Sequence, residues 1–354
     1  MKRMTRYIVG SAIAGSLIAL LVIVALELVF AFVEETGDLG RGDYNALTAM
    51  LYVLLTAPYR AYEAFPMATL IGSLMGLGTL AARNELTAMR AAGFSVLAVA
   101  GAVMLAGVVL GATAFAIGEY LAPPAEHYAQ NLRAMAMTQQ VALDRQRGFW
   151  ARDGSRFVQV DRALSDRSLQ GLRIYEFDSE RELEQVLQAE SARFGAGGWQ
   201  LQGVRATRFS GEGVEIEELA DLVWDADLEP QMLEVVVVDP ETLPIAALTE
   251  YIAYLERNGL ETSRYRLAFW VKIATPVATI ALLLLTVPLV FGSVRSAGAG
   301  QRIFLGVLIG IVFLLFNRLL NHAGLVYGLP PALSALLPSM LFGLIGLWGV
   351  ARVR

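Results

Sequence analysis

Six long apolar stretches constrain what this chain can fold into. They lie at about residues 7–33, 57–80, 95–121, 267–291, 303–321 and 333–351. Each is near or above the roughly 20 residues an α-helix needs to cross a bilayer. The overall balance agrees, with 56% hydrophobic and 17% charged residues in a chain of 354. The first stretch follows Lys2, Arg3 and Arg6. Its apolar run exceeds that of a signal peptide and lacks a small-residue cleavage site, so it reads as a retained membrane helix.

The charges are unevenly spread. Residues 120–266 hold 25 of the 33 acids but only 15 of the 28 bases, so an acidic soluble middle separates two apolar ends. The short loops then set orientation. Basic residues mark the N-terminus, the loop with Arg83 and Arg90, the loop with Arg295 and Arg302, and the tail with Arg352 and Arg354. With six spans all four fall on one side, which is expected to be the cytoplasm. The acidic loop from Glu34 to Asp43 and the uncharged loop from His322 to Pro331 fall on the other side, with the large middle domain.

Within that middle domain, placed at 123–264, the pattern changes to period-two alternation. Arg156 to Val160, Leu172 to Phe177 and Trp199 to Gln202 read as antiparallel strands, giving a mostly β domain packed as a sandwich or open barrel. Glu126 to Val141 is expected to extend the third span, and Ile245 to Asn258 reads as an amphipathic helix. No sequence repeat relates the membrane halves 1–122 and 265–354.

Several chemistries are excluded. There is no cysteine, and only His127 and His322 are present, which removes thiolate and histidine-rich metal sites. The net charge of −5 lacks the basic footprint of a nucleic-acid binder. No GxxxxGK[ST] phosphate loop occurs, nor a Ser-His-Asp set, HExxH or paired-carboxylate motif, so the chain is expected to be no enzyme and to hold no cofactor or metal. Gly72, Gly76 and Gly78 are read as helix-packing positions.

Between spans two and three, Leu77-Gly78-Thr79-Leu80-Ala81-Ala82-Arg83-Asn84-Glu85-Leu86-Thr87-Ala88-Met89-Arg90-Ala91-Ala92-Gly93-Phe94 contains a short helix, with Ala82, Leu86 and Met89 sharing a face and a cap near Asn84. Such a helix can seat its apolar side in a groove of another protein while Glu85 pairs with an arginine there; the alternative is an ordinary polar loop.

This segment resembles the lipopolysaccharide export permeases, the YjgP/YjgQ family, and in particular its LptG-like members. A second block carries the same resemblance: Tyr265, Phe269-Trp270-Val271-Lys272, Pro276, Phe291-Gly292, Arg295-Ser296, Leu325-Val326-Tyr327-Gly328-Leu329-Pro330-Pro331 and Ala335-Leu336-Leu337-Pro338. The resemblance implies six transmembrane helices with a periplasmic β-jellyroll-like domain inserted between helices 3 and 4. It also implies one permease half of an ABC transporter of the inner membrane, with an LptF-like partner and two LptB-like ATPase subunits that use the ATP. An LptC-like protein and a periplasmic bridge would receive the lipopolysaccharide. In these terms 83–92 is the coupling helix, with Arg83, Glu85, Leu86 and Met89 as its contacts.

Lipopolysaccharide phosphates call for cations near the outer membrane surface. Family members commonly place a lysine late in span one, where this chain has Ala31. Arg133, Arg318, Arg60 and Arg41 are the replacement candidates, interfacial snorkelling being the alternative for Arg41 and Arg60. Glu27 and Arg318 are charges inside spans and are candidates to pair, or each faces a partner subunit or water separately. Lys272 is expected to orient span four by snorkelling. Pro58, Pro66, Pro276 and Pro288 are expected to kink or begin helices. Phe157 and Ile174 are expected to face inward along a lipid path through the β domain. Two other readings stand beside this one: a proton-coupled secondary transporter using Glu27 and Glu63, and an envelope assembly scaffold.

Overall fold

A computed structural model describes residues 2–141, 149–153, 156–163, 168–178, 182–195, 198–210, 213–224, 239–292 and 298–353. Arg295 and Ser296 lie outside the described residues. Among the described residues six helices are long and apolar enough to cross a membrane. The chain begins with α1 (Lys2–Glu35) and α2 (Ala46–Ala82), followed by the short α3 (Glu85–Ala91) and by α4 (Val96–Ala116). A π-helical turn, Ile117–Leu121, joins α4 to α5 (Ala122–Val141) without a break. The second half contains α6 (Ile245–Arg257), α7 (Ser263–Phe291), α8 (Ala299–Tyr327) and α9 (Pro331–Arg352).

The second span is longer than its apolar run suggested. Asn45 starts it by accepting hydrogen bonds from the amides of Leu47 at 3.0 Å and Thr48 at 3.1 Å, satisfying two groups that a helix start leaves open. Pro58, Pro66, Pro276 and Pro288 all lie inside helices and start none of them. α2 is the spine of the bundle: α1, α5, α7 and α8 all pack on it. Its contact with α1 is made by small residues. A Cβ on Gly72 would collide with the Gly15 backbone and one on Gly76 with Ser11, so the two helices touch through main chain. Phe65, Leu70, Leu74, Val103, Leu110 and Leu283 form the centre of the apolar core. α1 and α8 contribute little to it and leave Leu21, Phe30, Phe304 and Leu319 exposed.

Between α5 and α6 the strands β1 (Phe149–Asp153), β2 (Arg156–Ala163), β3 (Ser168–Phe177), β4 (Leu183–Gly195), β5 (Gly198–Ser210) and β6 (Gly213–Trp224) form one antiparallel sheet in the order β1-β2-β3-β4-β5-β6. The β insertion is therefore present, and among the described residues it is a single meander; residues 225–238 lie outside them. One face is dry, with Val158, Val160, Leu172, Ile174, Leu187, Trp199 and Leu201 all buried.

Alternation breaks along one row of this sheet. In β3 both Leu169 and Leu172 are buried, in β4 both Ala189 and Ala192, and in β5 both Leu201 and Val204. The registers on either side stay continuous, so β3, β4 and β5 change parity at the same crease. Gly171 (φ +66°) and Gly203 (φ +62°) occupy it in alternate strands, where a left-handed backbone is needed and a side chain would meet Asp161 or Glu190.

Ile174 faces inward as expected, whereas Phe157 does not. Val158 and Val160 take the inward positions of β2, so period two turns Phe157 to the outer face. There its ring lies 5.6 Å from that of Phe177, beside the Trp150 and Tyr175 pair.

Candidate functional site

Three places in the membrane part carry polar chemistry. The first joins the sheet side of the bundle to the spans. The π-turn releases the Gly118 carbonyl from the regular ladder, and Lys272 of α7 donates to it at 2.8 Å. The same ammonium lies 3.4 Å from Glu119, whose carboxylate accepts the amide of Ile245, the first residue of α6, at 2.8 and 3.1 Å. Lys272 is 4% exposed, so it does not snorkel; it is an interior anchor. Gly118 is required beside it, because a Cβ there would meet the Tyr62 ring at 2.5 Å. Sequence reasoning missed Glu119; its signal was an acid directly after glycine at the end of an apolar run.

The second place is the α1–α2 connection. Arg133 of α5 bonds Asp38 at 2.7 Å, lies 3.2 Å from Glu35, and sits 5.3 Å from the centre of the Tyr52 ring. Tyr44 donates to the same Glu35 carboxylate at 2.7 Å. Burial, then that hydrogen bond, push the Tyr44 phenol above the usual tyrosine range. Arg41 pairs with Asp38 at 2.6 Å. Two carboxylates thus hold Arg133, and a phosphate would have to displace them. Arg60 donates to Thr56 at 3.1 Å. Ala31 is 3% exposed, so a lysine there would enter packed structure.

The third is a cavity of about 200 Å³ between α1, α2, α7, α8 and α9, reached also by Glu241 ahead of α6. Glu27, Glu63, Glu241, Lys272 and Arg318 line it. Glu27 of α1 and Arg318 of α8 therefore share a cavity but form no ion pair among the described residues.

At the opposite end of the bundle lies α3. Glu85 accepts a hydrogen bond from Tyr7 of α1 at 2.8 Å, a partner that sequence separation hid. Asn84 precedes the helix in a left-handed conformation (φ 56°) and provides no side-chain cap. Leu86 and Met89 are turned inward, whereas Ala82, expected on the same face, is the last residue of α2 and is exposed, because the left-handed Asn84 separates the two helices. Leu86 is 2% exposed in the main core and Met89 packs against that core, because the helix lies across the ends of the spans and covers them. Arg83, Thr87 and Ala88 are exposed. Arg90 sits 5.8 Å from the Phe291 ring centre and borders a groove lined by Phe94, Leu97, Val350 and Val353. Arg302, expected in an exposed basic loop, is 5% exposed and lies against Gly78 of α2.

This six-span frame with an inserted sheet has matching relatives. The family described as "Lipopolysaccharide export system permease LptF/LptG" matches residues 6–352. The chain belongs to the LptF/LptG permease family. It is 37% identical over 350 residues to lipopolysaccharide export system permease protein LptG of Escherichia coli (strain K12), covering 98% of this chain and 97% of that protein. It is 36% identical over 353 residues to LptG of Haemophilus influenzae (strain ATCC 51907 / DSM 11121 / KW20 / Rd), covering 99% and 98%. The match takes in both membrane halves, the sheet and α3. As a member of the LptF/LptG family the chain is a multi-pass membrane protein, and its long helices agree with that.

Proposed function

We propose that this chain is the permease subunit of a lipopolysaccharide export system, taking its substrate from the outer leaflet of the inner membrane towards a periplasmic bridge. The observation that carries the reading is the match to LptG proteins over nearly the whole chain and over 97% and 98% of the two relatives' own length. Its own residues supply the path and not the energy. ATP hydrolysis belongs to two LptB-like subunits, an LptF-like chain completes the permease, and an LptC-like protein takes the lipid onward. The N- and C-termini and α3 lie in the cytoplasm and the sheet in the periplasm, in keeping with the basic loops. The poorly buried α1 and α8 suit contact with lipid or with the second permease subunit.

α3 and the groove beside Arg90 form the surface on which the ATPase docks. Because Leu86 and Met89 are committed to the core, the docking surface consists of Arg83, Glu85, Thr87 and Arg90. The test is purification with the partner subunits followed by export in reconstituted vesicles. Glu85→Ala is expected to lower export at least tenfold while the permease remains folded, that being the scale for removing a charged hydrogen bond. Normal ATPase recruitment together with normal export by the variant would remove Glu85 from this role.

In the sheet, acyl chains travel along the dry face and the phosphorylated sugars remain outside it. A photo-crosslinker at Ile174 is therefore expected to trap lipopolysaccharide and one at Phe157 to give little product. Equal capture from both positions would contradict a route along one face.

A further inference from the structure

We infer that the cavity between α1, α2, α7, α8 and α9 is a binding site for the primary ammonium group of a lipid head group, with Arg318 taking the phosphate next to that amine. The charge balance points to a cation. Glu27, Glu63 and Glu241 face the cavity, while of the two cations lining it Lys272 is already engaged by Gly118 and Glu119. Arg318 makes no salt bridge among the described residues. Carboxylates left in such surroundings are costly, and a bound cation offsets that cost.

The hydroxyls make the case independently of the acids. Ser339 is 1% exposed and lines the cavity, and its oxygen is buried without a hydrogen-bond partner; Tyr62, 5% exposed, sets its hydroxyl in the same wall within reach of Thr275. A buried hydroxyl left unsatisfied in this way is uncommon. Together with the carboxylates they give a wall of acceptors. An ammonium group carries three donors and no acceptor, which is the matching chemistry. The Tyr59 and Tyr62 rings, 6.5 Å apart, add faces that attract a cation. No set of three metal-ligating side chains is close enough to hold a metal ion among the described residues.

Size and surroundings select a lipid. About 200 Å³ holds one small head group. Ile23, Met67, Val271, Phe313 and Leu314 supply apolar wall, and the exposed Glu63, Leu314 and Arg318 mark the open side. An amine one short linker from a phosphate reaches carboxylate and guanidinium together. That chemistry occurs in phosphatidylethanolamine and in glycolipids whose phosphates bear an amine.

The inference rests on the membrane reading of the chain and not on its export role. The test uses the full-length chain in nanodiscs, with lipid retention read by native mass spectrometry. Phosphatidylethanolamine is expected to be retained roughly tenfold over phosphatidylcholine, whose methylated nitrogen cannot donate, and over phosphatidylglycerol, the scale for losing one charged hydrogen bond. Glu63→Gln should abolish that preference. Tyr62→Phe should reduce it, with an unchanged melting midpoint showing that the fold is intact. Competition by phosphoethanolamine-bearing lipid A against phosphatidylethanolamine then identifies the source of the amine, and displacement in either direction supports the site. Equal retention of the three phospholipids, or an unchanged preference in both variants, overturns it. Export assays remain separate: a chain that selects the amine lipid yet recruits no ATPase would defeat the permease reading alone.

Discussion

Lys272→Ala is expected to cost about 3 to 5 kcal/mol, the range for removing one partner of a buried ion pair and leaving the other uncompensated. The geometry explains why the loss spreads. Lys272 ties α7 to the π-turn, and Glu119 passes the tie to the first amide of α6. Without the ammonium, the Gly118 carbonyl has lost its donor and the Glu119 carboxylate, 13% exposed, stands without its counter-charge. A thermal scan in detergent should show the midpoint falling. Limited proteolysis should show cutting around α6 before the spans. Lys272→Met keeps the apolar stem and separates packing from charge. If it melted with the wild type, the anchor would be a matter of volume and the ion pair incidental.

Gly72→Val should have an effect of similar size by a different route. The added side chain has no space, since even a Cβ meets the Gly15 backbone. The neighbouring atoms are main chain and cannot rotate away. Overpacking costs roughly 1 to 3 kcal/mol where side chains can yield, and here none can, so about 3 kcal/mol is the expected lower bound. The loss should fall on the attachment of α1. A cysteine pair placed across the α1–α2 seam would report this, cross-linking readily in the parent and poorly in the variant. Efficient cross-linking in both would show that the helices hold together by other contacts.

The spans were legible because a bilayer demands length and apolarity together, and both are local properties of sequence. The sheet was legible for a similar reason, as period two survives in Arg156 to Val160 and Leu172 to Phe177. The direction of a given side chain was less so. Phe157 and Val158 are both apolar neighbours, so β2 offers two choices of inward face, and the structure gives that position to Val158. Leu86 and Met89 showed the same limit: their spacing revealed an apolar face without revealing that the chain's own core covers it. The polar contacts were the least visible. Tyr7 meets Glu85 across 78 positions of sequence and Lys272 meets Glu119 across 153, and periodicity holds no information at that range. Arg133 could be recognised as a cation, but not that Glu35 and Asp38 hold it.

The strictly sequential strand order bears on how the chain assembles. Among the described residues each strand pairs only with its neighbour, so this sheet forms by closing short loops, which is the fast regime of folding. It can therefore take shape while α7 to α9 are still being synthesised. The bond from Glu119 to Ile245 closes a loop of 126 residues, whose entropy cost is smaller once the sheet has shortened it. The membrane half that is synthesised second is thus fastened to the first by a joint that spans the whole insertion.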